Sequence, residues 1–115
     1  MEQLNRIEIR GVVGSVKRQI VDEKEMARLA IATSRAYRDK GGNAIIETTW
    51  HNVVVWDCQK LFANKPVEKG TKISVVGRVR SQKFTGEDSV ERTFFEVIAN
   101  QVKIIDSEDS LQYEM

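Results

Sequence analysis

The most constraining feature of the sequence is a long strand pattern near the N-terminus that is interrupted by Gly11 and Gly14. Within residues 4–21, Ile7 and Ile9 alternate with charged residues, which is the period of a half-buried strand. Isolated glycines in such a pattern indicate bulges or sharp bends, which let one strand coil and pair with both sheets of a barrel. The chain is therefore predicted to build a small barrel around its first strand.

Four further segments have strand patterns, and one segment predicts a short helix. The expected strands cover residues 26–33, 48–56, 72–83 and 90–105, and the helix covers residues 58–64. Residues 34–47 lose the apolar period and predict a long loop or a flexible hairpin extension. Five strands with a helix between the third and fourth fit an all-β, five-stranded Greek-key barrel of the oligonucleotide/oligosaccharide-binding (OB) type better than a sandwich of seven or more strands.

The length of 115 residues corresponds to one domain with its own core. We expect residues 1–105 to form the barrel and residues 106–115 to be a short, flexible acidic tail. Residues 1–105 contain 18 basic and 13 acidic residues, a balance of +5, whereas the tail contains four acidic residues and no basic one, a balance of −4. The net charge of +1 is therefore the sum of a basic barrel and an acidic end.

The residues indicate neither export, nor membrane insertion, nor catalysis. An apolar leader and a run of about 18 apolar residues are both missing, which predicts a cytoplasmic protein. His51 is the only histidine and shares strand parity with Val53 and Val55, so we expect it on a packed or interface surface. No carboxylate cluster for a metal and no phosphate-binding loop is present. We expect no enzyme activity, no metal and no cofactor.

The aromatic residues point to a binding surface. Trp50 and Trp56 have the same strand parity, so both rings are predicted on one face of the third strand, about 20 Å apart. Phe84 has the parity of Arg78 and Arg80 on the fourth strand, and not that of the apolar stripe to which Val79 is assigned. The alternatives are burial of the tryptophans in the core and capping of the barrel end by Phe84.

Basic residues are concentrated near these aromatic residues. Residues 60–83 contain seven basic residues and one acidic residue, a local balance of +6, and residues 35–40 add three cations around Tyr37. Bases of single-stranded nucleic acid stack on aromatic rings while Lys and Arg hold the phosphates. The cations that we expect on phosphates are Arg28, Arg35, Lys40, Lys60, Lys69, Arg78, Arg80 and Lys83. A solvated basic face is the alternative.

The chain resembles the bacterial single-stranded DNA-binding proteins over residues 4–105. The matching stretches are residues 5–14, 32–34, 37–40, 47–54, 69–70, 76–80 and 83–84, then Arg92 and residues 96–97. The stretch Thr-Thr-Trp-His at residues 48–51 is the most specific, and the order and spacing of the pieces carry the resemblance together.

The resemblance implies an OB fold that assembles as a homotetramer, usually a dimer of dimers, and binds single-stranded DNA in the cytoplasm at the nucleoid. The implied stacking positions are Tyr37, Trp50, Trp56 and Phe84, and His51 corresponds to a histidine at the subunit interface. Gln82 stands where a basic residue is common. The family usually ends in a long linker with an acidic tip that recruits replication and repair proteins, whereas this chain ends ten residues after the barrel, which puts such recruitment in doubt.

These features favour sequence-independent binding and protection of single-stranded DNA in replication, recombination and repair. The first alternative is a primosome or replication-restart accessory protein of the same fold that acts mainly through protein contacts. The second alternative is an RNA-binding OB module.

Overall fold

The computed structural model describes residues 2–58 and 67–105. Its five strands close into a barrel in the order β1-β2-β3-β5-β4, which confirms the predicted five-stranded OB-type barrel. The strands are β1 (Ile7–Val21), β2 (Lys24–Arg38), β3 (Ala44–Trp56), β4 (Lys72–Thr85) and β5 (Glu91–Ile104). The predicted helix lies outside the described residues except for Cys58, which is in a turn, and the predicted tail lies outside them entirely.

The first strand pairs with two different neighbours, as its glycines predicted. Residues 7–12 pair with β4, and residues 12–21 pair with β2 with a register shift between Val13 and Ser15. At Gly11 a Cβ atom would lie 2.2 Å from the carbonyl oxygen of Ala32 on β2. Only glycine allows the two backbones to approach so closely, so this position fixes how β1 crosses between its partners.

The core fills the barrel with alternating residues from all five strands. Its members are Ile9, Val13, Ala27, Leu29, Ile31, Val53, Val55, Cys58, Val67, Ile73, Val75 and Val97. Val79, which the sequence pattern assigned to the core, is exposed instead. The pairing of β4 with β1 ends at Gly77, and β4 then continues beyond the barrel with β5 as its strand partner. The inward parity of Val79 therefore no longer leads to burial.

Residues 34–47, predicted as a long loop or a flexible hairpin extension, form an extension of the β2–β3 hairpin. β2 continues to Arg38 and β3 begins at Ala44, and the two strands pair without interruption along 13 residue pairs. The turn is held by Asp39, whose Oδ1 accepts hydrogen bonds from the backbone amides of Gly41 and Asn43, both at 2.9 Å. A second aspartate, Asp88, holds the β4–β5 turn by accepting from Arg92 Nη2 at 2.6 Å.

Acid should release both turns. The hydrogen bond from the Asn43 backbone amide lowers the pKa of Asp39, and the hydrogen bond from Arg92 lowers the pKa of Asp88. A carboxylate with a lowered folded-state pKa stabilises the fold above its unfolded-state pKa of about 3.9, and this contribution is lost as the pH falls through the folded-state value.

NMR titration of the Gly41 and Asn43 amides between about pH 6 and about pH 2 tests the Asp39 turn. We expect a midpoint below about 3.9 because these amides follow the ionisation of Asp39. Asp39→Asn is the control and should remove the step. A midpoint at or above the unfolded-state value would contradict the stabilising role of the carboxylate.

The turn between β1 and β2 contains only Asp22 and Glu23, with φ angles of 50° and 69°. Two positive φ values in a two-residue hairpin loop are typical of a type I′ turn, which glycine and asparagine favour. We expect Glu23→Gly to raise the free energy of unfolding by about 0.5 kcal/mol, since it relieves the left-handed strain but adds freedom to the unfolded chain. Urea unfolding measures the change.

The control is Glu87→Gly in the β4–β5 turn, because Glu87 is not among the residues with a positive φ. This variant should gain nothing or lose stability. Equal changes in the two variants would show that the left-handed conformation of Glu23 is not the source of strain.

Candidate nucleic-acid interface

Three of the predicted stacking residues lie on the barrel surface that faces away from the core, which we call the outer face. Trp50 and Trp56 on β3 are 60% and 40% exposed, and Phe84 on β4 is 47% exposed. The exposed fractions of Trp50 and Trp56 exclude the alternative that the tryptophans fill the core. Large exposed rings on β3 and β4, the two strands on either side of β5, offer stacking surfaces to nucleobases.

Trp50 is seated on the bulge of β1. A Cβ atom at Gly14 would lie 2.4 Å from Cζ3 and 2.6 Å from Cη2 of the Trp50 ring. The indole therefore rests on bare backbone, which a side chain at position 14 would not permit. The same glycine that bends β1 thus also leaves the space that Trp50 occupies.

Phe84 is supported by Phe94, a ring that the sequence analysis did not single out. The two ring centroids are 5.7 Å apart and the planes meet at 64°, which is an edge-to-face contact. Phe94 lies on the outer face of β5, in register with Gln82. Strand parity in residues 90–105 was the signal that could have identified it.

Tyr37 does not share the outer face with the other three rings. The β2–β3 pairing contains no bulge, and Trp50 pairs with Ala32 whereas Tyr37 pairs with Ile45. Alternation along β2 therefore places Tyr37 on the opposite face of the hairpin, together with Arg35. The guanidinium carbon of Arg35 lies 5.8 Å from the centre of the exposed Tyr37 ring. A nucleic-acid strand that contacts Trp50 has to pass around the hairpin to reach Tyr37 and Arg35.

The predicted phosphate-binding cations occupy several different places. Arg28, Arg78 and Arg80 lie on the outer face, and Lys83 lies on the other face of β4, where Nζ is 3.5 Å from Glu91 Oε1. Lys40 and Lys69 are exposed in turns, and Lys60 lies outside the described residues. The structure therefore brings together only part of the set that the sequence predicted.

Two of these arginines meet at a buried carboxylate that the sequence analysis missed. Glu96 on β5 is 2% exposed, and it contacts both Arg28 and Arg80. A groove of about 200 Å³ beside this cluster is lined by Arg28, Glu96, Phe94, Asn52 and Lys17, among others. The outer face thus combines aromatic, amide and cationic groups.

His51 lies on the face of β3 opposite to Trp50, partly buried, with Nε2 2.9 Å from Thr33 Oγ1.

Burial raises the pKa of the Cys58 thiol. Within residues 2–58 and 67–105, no three His, Cys, Asp or Glu side chains are grouped to hold a metal ion. In the same residues, no helix is long and apolar enough to span a membrane.

Comparison with known proteins places the chain. The model of the Single-strand binding protein family matches residues 4–105. The chain belongs to this family. The single-stranded DNA-binding protein of Neisseria meningitidis serogroup A is 28% identical over 104 residues, which are 89% of this chain and 60% of that protein. The one from Xanthomonas axonopodis pv. citri is 31% identical over 80 residues, 70% of this chain and 44% of that protein.

The chain therefore spans about half the length of the curated relatives that it matches. Among solved structures, the fold is similar to Plasmodium falciparum SSB, solved in complex with ssDNA, with a TM-score of 0.80 at 24% identity. That match covers 92% of this chain and 98% of the other. A deletion variant of the single-stranded DNA binding protein from Thermus aquaticus has a TM-score of 0.75 at 19% identity over 90% of this chain and 51% of that one.

Proposed function

We propose that this protein binds single-stranded DNA without regard to base sequence and protects it during replication, recombination and repair. The observation that carries the proposal is the exposure of Trp50, Trp56 and Phe84 on one face of the barrel, beside outward arginines. Every nucleobase has a flat surface that stacks on such rings, and every nucleotide has a phosphate that arginine can bind. Membership in the Single-strand binding protein family supports the proposal.

The division of roles follows the chemistry of the side chains. Trp50, Trp56 and Phe84 stack bases on the outer face, and Tyr37 stacks a base on the other side of the β2–β3 hairpin. The described cations proposed for phosphates are Arg28, Arg35, Lys40, Lys69, Arg78, Arg80 and Lys83. Binding in this mode needs no bond to be made or broken, so the protein acts without catalysis.

Assembly is the second part of the proposal. The protein forms a homotetramer, a dimer of dimers, in the cytoplasm, and His51 lies at a subunit interface. The location of His51 supports this role, because it is partly buried and on the strand face opposite to Trp50. A contact between subunits at His51 leaves the outer face of each barrel open to DNA. It must also leave Tyr37 and Arg35 accessible, because they lie on the same face of the hairpin, nearer its turn.

The test is titration of a fluorescently labelled oligo-dT, followed by anisotropy at about 50 mM and about 200 mM salt. We expect saturable binding that weakens roughly tenfold or more at the higher salt, because each phosphate contact releases counterions. Unlabelled oligo-dT should compete better than oligo-U. Binding that is absent or indifferent to salt would overturn the proposal, and preference for oligo-U would favour an RNA-binding module.

A further inference from the structure

The buried carboxylate of Glu96 has no role in the stacking mechanism. It is the one charged residue of residues 2–58 and 67–105 that is buried. Burying a carboxylate is costly unless cations and hydrogen bonds compensate it. The groups that compensate Glu96 therefore indicate what the fold keeps it for.

Both compensating groups are arginines, and they come from different strands. Arg28 Nη1 of β2 lies 3.2 Å from Glu96 Oε2, and Arg80 Nε of β4 lies 3.1 Å from Oε1, which also accepts from Arg80 Nη2. When the Gln82 amide is oriented so that both its oxygen and its nitrogen have hydrogen-bond partners, its oxygen accepts from Arg80 Nη2 at 2.8 Å. One carboxylate thus binds both guanidinium groups, and Arg80 also donates to a second acceptor, Gln82.

The cluster keeps a positive charge at the surface. Two arginines and one carboxylate sum to +1, and the side chains of Arg28 and Arg80 are still 47% and 41% exposed. An arginine has five N–H donors, of which Glu96 takes one from Arg28 and two from Arg80. Gln82 takes the other N–H of Arg80 Nη2, so Arg80 keeps the two N–H groups of Nη1 and Arg28 keeps four donors. These donors can bind a single external anion, and one monoanion would bring the cluster to neutrality.

We infer that Arg28, Glu96 and Arg80 form one composite phosphate site, in which Glu96 is a positioning residue that joins two arginines into a receptor for a single phosphodiester. This inference rests on the proposed binding of single-stranded DNA and deepens it. The sequence predicted Arg28 and Arg80 as two separate phosphate contacts. The composite site instead binds one phosphate with both arginines. Removal of either arginine leaves a neutral Arg–Glu pair, so the loss of one arginine already removes the charge that binds this phosphate.

The two arrangements differ in their salt dependence. For single strands, the slope of log affinity against log salt is about −0.7 per phosphate neutralised. A composite site predicts that Arg28→Gln, Arg80→Gln and the double variant each make the slope less negative by about 0.7. Two separate contacts predict about 0.7 for each single variant and about 1.4 for the double variant.

The experiment measures the affinity of each variant for oligo-dT at four or more salt concentrations. Arg10→Gln is the matched control, because Arg10 pairs with Glu8 on its own strand and lies outside the cluster. The composite site would be overturned if the slope of the double variant became less negative by about 1.4, or if all three variants kept the slope of the parent protein. The slope of the parent protein tests the proposed function separately, since it must be negative whatever the cluster does.

The role of Glu96 itself is tested by repeating the series with Glu96→Gln. Without the carboxylate, the two arginines are no longer held together. The changes in slope caused by the two arginine substitutions should then become additive and reach about 1.4 in the double variant. Losses that stay non-additive in this background would show that Glu96 does not position them. The arginine series in the parent background decides the composite site even where Glu96→Gln does not fold.

Discussion

Replacing Trp50 by alanine is expected to weaken binding of single-stranded DNA by about 5- to 150-fold per barrel. This range corresponds to about 1–3 kcal/mol for one base stacked on an aromatic side chain, a magnitude already known for single-strand-binding OB folds. Trp50 should show the effect strongly because 60% of its surface is exposed and its ring rests on the bare backbone of Gly14. Anisotropy titration with oligo-dT at constant salt measures the loss.

The chain offers a matched control in Phe95→Ala. Phe95 is a largely exposed aromatic residue on β5, but its strand parity is opposite to that of Phe94 and the outer face. Its removal should change the affinity less than about twofold, with the oligomeric state of both variants checked by light scattering. Equal losses in Trp50→Ala and Phe95→Ala would contradict the assignment of binding to the outer face.

Replacing Gly77 by alanine is expected to lower the free energy of unfolding by about 3 kcal/mol, a large part of the stability of a small domain. A Cβ atom at this position would lie 2.1 Å from the carbonyl oxygen of Ile98 and 2.9 Å from its carbonyl carbon. Both atoms belong to the backbone of β5, so no side-chain rotation relieves the clash. Urea unfolding at fixed protein concentration measures the change.

The control for this variant is Gly41→Ala in the β2–β3 turn. A Cβ atom there would approach only side-chain atoms of Asn43 and Asp39, at 3.4 Å, and Gly41 is not among the glycines with a positive φ. Its stability should change by less than about 0.5 kcal/mol. A Gly77→Ala variant as stable as Gly41→Ala would show that β4 and β5 can separate at this point without cost.

The features predicted correctly from the sequence are those set by neighbouring residues. Alternation of apolar and polar residues placed the five strands, and Gly11 and Gly14 indicated a strand shared between two partners. The same parity argument put Trp50 and Trp56 on one face and Phe84 on the side of the arginines. These inferences need only the period of a strand, which is a local property.

The features that were missed depend on strands distant in the sequence. Glu96 was not singled out as a site residue, because nothing near it in the chain shows that Arg28 of β2 reaches it across β3. Val79 kept the parity of a core residue after β4 had left the barrel. The position of Tyr37 on the opposite hairpin face was not predicted, because residues 34–47 do not show how far β2 and β3 pair without interruption.

The central claim, that the outer face stacks bases, is tested most directly by tryptophan fluorescence in two single-tryptophan variants. The chain has only two tryptophans, so Trp56→Phe reports on Trp50 alone and Trp50→Phe reports on Trp56 alone. We expect oligo-dT to quench both signals, in parallel with the anisotropy change of a labelled strand, because each indole contacts a base. Full binding with neither tryptophan quenched would contradict the claim and place the DNA on another face of the barrel.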